Sequence, residues 1–135
     1  MKSNVMDELE KMGRNDLVDE ILKYEQEQAE KAKYNGWSNY ETWCVNLWID
    51  NDEGLQDHVI QLADEALETE DGGGHNSIWS LSQQIEGIVD EMNPLADKAD
   101  MFTDLLGSAL SDVDYYEIAE HWINDRLSEQ EKEEE

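Results

Sequence analysis

From Tyr34 to Asp97 the chain carries fourteen carboxylates and not one lysine or arginine. Between Lys33 and Lys98 there is no cation for those acids to pair with, so intramolecular salt bridges are not expected to be their purpose. They are expected to face water, a metal or a partner, leaving the interior to the apolar residues between them. The flanks differ: residues 1–33 hold nine acids and six bases, and residues 98–135 hold twelve acids and three bases. The formal charge of the 135-residue chain is −26. Self-repulsion at that density costs stability, so something beyond solubility is expected to maintain it. The sign excludes direct binding to nucleic acid or an anionic membrane and points to basic protein surfaces as partners.

A chain this long forms one ordinary domain with a real core. Its single cysteine, Cys44, cannot make an internal disulfide, and no apolar run reaches the ~18–20 residues that span a bilayer. The N-terminal MKSNVMDELEKMG lacks the apolar centre of a signal peptide. A cytoplasmic location is the expectation, in the host cell if the chain is phage-encoded.

Apolar spacing predicts helices throughout and no strand, hence an all-α fold: a compact bundle of about five core helices with an N-terminal helical hairpin. Residues 1–34 are expected to form the hairpin or arm, 35–128 the helical core and 129–135 a frayed acidic tail. The hairpin reads as a short helix near Val5 to Met12, a break at Gly13, and a longer helix capped by Asn15. Ser38 and Glu41 stand in capping-box spacing before the stretch NYETWCVNLWIDND. There Tyr40, Trp43, Cys44, Leu47 and Trp48 share a face, and Val45 and Ile49 widen it until little polar surface remains. Such a helix is expected at the centre, where losing Trp43 or Trp48 costs about 3–5 kcal/mol.

Asp50 to Asp52 supply a turn and the next cap. The helix of residues 51–71 turns Leu55, Val59, Leu62, Ala63 and Ala66 to one side and Asp57, Asp64, Glu68 and Asp71 to the other. Gly72 to Gly74 end it. A further helix is expected from Asn76 or Ser77 to Met92, and another from Asn93 and Pro94 with Leu95, Ala99, Phe102, Leu106 and Ala109 inward. The last begins near Ser111 or Asp112 and lines up Tyr115, Ala119, Trp122 and Arg126.

Several constellations invite chemistry and fail on pattern. DNDEG at 50–54 resembles the start of a calcium loop, but Leu55 stands where glycine is required and Gln61 where the bidentate glutamate belongs. Glu117, His121 and Asp125 share a helix face, yet no further histidine or cysteine is placed beside them. Cys44 between Trp43 and Val45 reads as a small buried hydrophobe. No catalytic residue, metal site or cofactor is nominated.

The acidic surface remains. From Asp57 to Asp71 the stripe would run about 21 Å at ~1.5 Å per residue, roughly one charge per 7 Å, close to phosphate spacing along one DNA strand. Asp57, Asp64, Glu68, Asp71, Asp114, Glu117 and Asp125 are the partner-binding candidates. An ordinary solvated acidic face is the alternative reading of the same residues.

The motif W-x-N-Y-E-T-W-x-V-x-L-W-I-D-N-D, here Trp37, Asn39 to Trp43, Val45 and Leu47 to Asp52, resembles a family of small proteins of phages, plasmids and bacteria. Asp104 to Trp122, DLLGSALSDVDYYEIAEHW, is similar to their C-terminal half. The resemblance covers roughly residues 35–127 and implies no activity. A weaker similarity, in size, helicity and acidity alone, is to DNA-mimic antirestriction proteins such as Ocr, and it carries over no residue.

The leading functional expectation is an acidic DNA mimic that occupies the groove of a basic DNA-binding protein or nuclease of host defence, of the restriction or CRISPR type. The alternative is a non-catalytic protein–protein interaction module or assembly factor using the tryptophan-rich helix, with acidity suppressing wrong contacts. A homodimer is a further partner alternative. Salt adaptation fits less well, because glutamate outnumbers aspartate, and an enzyme fits least.

Overall fold

The computed structural model describes residues 4–68 and 71–134. Residues 69–70, in the predicted 51–71 helix, and Glu135, at the end of the predicted tail, lie outside them. The chain is all-α as the spacing predicts, with seven helices among the described residues: two at the N-terminus and five in the larger unit.

The smaller unit, residues 1–38, contains α1 (Asn4–Lys11) and α2 (Asn15–Lys33), which pack on each other across a turn at Gly13. Gly13 holds φ +74°, a left-handed conformation that costs glycine nothing. Val18 of α2 is buried, while the rest of α2 from Leu22 to Ala29 is exposed, as its polar composition predicts.

The larger unit begins at Asn39 and holds α3 (Tyr40–Asn51), α4 (Glu53–Leu67), α5 (His75–Met92), α6 (Met101–Ser111) and α7 (Tyr115–Glu134). Its centre is the packing of α4, α5 and α7 against one another. Val59, Ala63 and Ala66 from α4, Ile78, Leu81 and Ile85 from α5, and Ile118, Ala119, Trp122 and Ile123 from α7 form the core, with Ile49 of α3 closing one side. The small alanines of α4 let the helix axes approach, and the β-branched isoleucines fill the space between them.

In the larger unit a side chain binds the first free amides of every helix. Asn39 accepts from Thr42 N at 2.9 Å and starts α3, so the cap lies one residue after the Ser38 expected from the capping-box spacing. Asp52 accepts from Leu55 N at 2.9 Å, Asp100 from Thr103 N at 2.8 Å, and Asp114 from Glu117 N at 3.0 Å. The carboxylate of Asp71 reaches over the glycine turn to accept from Asn76 N, Ser77 N and Ser77 Oγ at 2.6, 3.2 and 2.6 Å. Gly73 sits in that turn at φ +114°, where a Cβ would come within 2.9 Å of Leu127 Cδ1. Only glycine fits there.

Three predicted elements differ. The fourth helix ends at Leu67, four residues before Asp71, because the carboxylate of Asp71 is taken by the next helix and the glycines admit no helical continuation. Residues 93–99 are not helical: Asn93 Oδ1 accepts from Leu95 N at 2.8 Å, a turn that keeps Pro94 from starting a helix, and α6 waits for the Asp100 cap. Phe102, expected inside, is 63% exposed, and α6 has no buried residue. At the C-terminus, where fraying was expected, α7 continues to Glu134 through strong helix formers, with Lys132 paired to Glu129 one turn earlier at 3.4 Å.

Candidate interaction surface

The larger departure is the orientation of α3. Its buried residues are Thr42, Asn46 and Ile49, so the side turned to the core is the polar one. Asn39, Thr42 and Asn46 stand at i, i+3 and i+7, one line along the helix. Each meets the segment entering or forming α7. Asn39 Nδ2 donates to Asp112 O at 2.7 Å, Asp114 N donates to Thr42 Oγ1 at 2.9 Å, and buried Trp122 Nε1 donates to Asn46 Oδ1 at 2.9 Å. A buried Thr and Asn without partners would each cost about 1–3 kcal/mol, and here each has one.

That seam rotates the aromatic arc outward. Trp48 is 69% exposed; Tyr40 and Leu47 are exposed and Trp43 and Cys44 half-buried, so the expectation of a central, enclosed helix is overturned. Hydrophobicity alone could not decide the orientation, since α3 is apolar on nearly every side and only the hydrogen-bond seam breaks the tie.

The outward arc adjoins a trough. A depression of about 160 Å³ lies among Cys44, Val45, Trp48, Ile85, Val89 and Met92. A wider one of about 750 Å³ shares Trp48, Val89 and Met92 and extends to Pro94, Leu106 and Leu110. Their walls come from α3, α4, α5, α6 and the turn after α5, and are almost wholly apolar. Met92 is 60% exposed at the rim, and Met101, Phe102 and Leu105 of α6 are also uncovered. Sequence reasoning missed Met92, Leu106 and Leu110 as lining a surface depression because each falls at core spacing on its helix.

The acidic candidates divide differently from the predicted stripe. Asp57 and Glu68 are exposed on or at the end of α4, and Asp125 is exposed on α7. Asp64 does not point outward: its carboxylate takes Arg126 Nε at 2.8 Å and Nη2 at 3.4 Å across the α4–α7 packing. That hydrogen bond, with the charge of Asp64, holds the Arg126 guanidinium above its ordinary pKa. The cation missing from residues 34–97 is thus supplied by α7, and the expectation that these acids make no intramolecular salt bridge fails at Asp64. Asp71 lies beyond α4 and caps α5, and Asp114 caps α7. Glu117 is half-buried in the first turn of α7. Asp64, Asp71 and Asp114 therefore hold the fold together, and the evenly spaced row of four outward charges does not exist.

Other polar clusters are structural in geometry. His75 Nδ1 lies 3.0 Å from Tyr116 OH, joining the starts of α5 and α7, and His121 stacks edge-on to Trp122. Burial, then the charges of Asp90 and Glu86, push the Tyr115 phenol up to about 12. Among the described residues no three His, Cys, Asp or Glu side chains converge as a metal site, and no helix is long and apolar enough to cross a membrane.

An all-α unit with an uncovered apolar trough and acidic surroundings is the class of domain that the fold and surface define. The chain belongs to a family of unknown function, DUF7249, whose model matches residues 30–133. No curated protein and no solved structure matches it.

Proposed function

We propose that the chain is a non-catalytic protein–protein interaction module whose contact surface is the trough between α3, α5 and α6. The outward-turned Trp48 beside that trough carries the reading. An aromatic side chain next to a concave apolar surface is the usual make-up of an interface hot spot. The three hydrogen bonds of the α3 seam support it further, since they hold the aromatics outward at no cost in unpaired buried groups.

A second reading, an acidic DNA mimic that occupies the DNA-binding groove of a host defence nuclease, is favoured by the charge of −26 and by exposed Asp57, Glu68 and Asp125. It is a phage anti-defence role in that form. The duties of Asp64, Asp71 and Asp114 within the fold leave it without the regular row that suggested it.

The two readings separate in one comparison. Immobilised wild-type chain, Trp48→Ala/Met92→Ala, and Asp57→Asn/Glu68→Gln/Asp125→Asn are assayed for retention of the same partner. The module reading expects the partner to survive the acid substitutions and be lost with the apolar ones. Loss only from the acid variant, with duplex DNA displacing the partner from wild type, would establish mimicry instead.

A further inference from the structure

The trough has a chemistry that narrows its occupant, given the interaction-module reading just stated. Its two depressions share Trp48, Val89 and Met92 as a common wall and so adjoin, their apolar linings together running from Cys44 to Leu110. The exposed charged neighbours of those wall residues along the chain are acids apart from Lys98 beyond Pro94: Asp50 and Asp52 beyond Trp48, Asp90 and Glu91 between Val89 and Met92, and Asp112 after Leu110. No lysine or arginine stands among residues 34–97 to offset them.

Sign excludes three occupants. A second copy brings another −26, and nucleic acid or an anionic lipid surface brings the same sign at higher density. Backbone chemistry excludes a fourth. Among the described residues there is no strand, hence no sheet edge to pair an extended peptide, and an extended chain in an apolar trough would bury unpaired amides. A helix satisfies its own backbone and presents only side chains. The smaller depression, about 160 Å³, is the size of cavity that holds a benzene-sized group, and therefore one leucine, methionine or phenylalanine anchor.

From these constraints we infer that the trough binds a cationic amphipathic helix of a partner protein. One apolar anchor enters the depression at Cys44, the following turns lie along Met92 and Leu106, and lysines or arginines face Asp50, Asp52, Asp90 and Glu91. The apolar face supplies most of the affinity, and the acids set polarity of choice and speed of encounter.

Cys44 makes the inference testable, because the chain's one thiol lines the smaller depression and is half-buried. The full chain is titrated with an amphipathic Leu/Lys helix of ~18 residues, about 27 Å long. Controls are a scrambled peptide of the same composition without an apolar face, and a Leu/Glu peptide with the same face. Alkylation of Cys44 by iodoacetamide reads occupancy, and circular dichroism checks that each variant folds.

The Leu/Lys helix should slow alkylation at least tenfold at saturation. Met92→Glu should weaken its binding at least tenfold although the substitution adds an acid, and Trp48→Ala should weaken it too. Equal protection by the scrambled peptide, or tighter binding to Met92→Glu, would mean charge alone is read and would overturn the inference. Equal protection by the Leu/Glu helix would overturn the cationic occupant and leave the apolar interaction surface standing. Alkylation unaffected by any peptide would overturn both.

Discussion

In a protein with 35 acids and nine bases, neutralising one carboxylate should stabilise the fold or leave it unchanged, because it relieves repulsion. Asp64 should be the exception. Its bidentate contact with Arg126 places opposite charges ~4 Å apart, worth about 4 kcal/mol at an effective dielectric of ~20. Side-chain exposures of 19% for Arg126 and 39% for Asp64 return much of this through screening and desolvation. What survives lies between the ~0–1 kcal/mol of an exposed pair and the ~1.5–3 kcal/mol of a charged hydrogen bond, so a coupling of about 1–2 kcal/mol is expected.

The assay is a double-mutant cycle of Asp64→Asn and Arg126→Met by urea unfolding, methionine being chosen to keep the packing of the arginine stem. Asp57→Asn, on the same helix but exposed, is the reference. Asp64→Asn should destabilise while Asp57→Asn does not, and the cycle should close with the stated coupling. If Asp64→Asn raises stability as much as Asp57→Asn, the pair is incidental and the carboxylate belongs to the outward surface after all.

Trp122→Ala should cost about 3–5 kcal/mol, since it empties a core position and takes the indole donor from Asn46, whereas Trp48→Ala should cost about 1 kcal/mol or less; thermal melts of the two compare them directly. The raised pKa of Tyr115 means that the folded chain holds this proton more tightly than the unfolded chain, whose tyrosines titrate near ~10. Stability from this group is therefore intact below pH 10 and falls as pH rises toward 12, and Tyr115→Phe should remove both the late step in tyrosinate absorbance and part of the alkaline loss.

Period and cap chemistry carried much of the fold in the sequence. The α4 cap at Asp52, the buried line of α7 and the core face of α4 all follow from spacing that has one interpretation, whereas α7 starts after Asp114 rather than near the expected Ser111 or Asp112. Orientation was legible only where a helix has one apolar side. α3 has no such contrast, and its direction is set by Asn39, Thr42 and Asn46 meeting residues more than seventy positions away. The Asp64 pair was hidden for the same reason, since its cation comes from α7. α6 misled in the opposite sense: its apolar residues have core spacing, yet Met101, Phe102 and Leu105 stay uncovered. Spacing identifies a face without saying whether this chain or another covers it.

An uncovered trough also needs protection from its own kind, and the charge supplies it. Apolar patches of this sort promote association, and two grooves of the same chain could cover one another. At about 0.01 M salt the Debye length is ~30 Å, comparable with the size of the domain, so the full charge opposes any approach of two copies. At about 1 M it falls to ~3 Å, and the repulsion no longer reaches across an interface. The chain should therefore sediment as a monomer at low salt and gain mass as salt rises, with Trp48→Ala remaining monomeric throughout. Screening should raise the melting temperature over the same range, which separates association from unfolding. A salt-independent dimer that survives Trp48→Ala would show that copies meet through another surface. In that case the acidity is not what keeps the trough open for a partner of opposite sign.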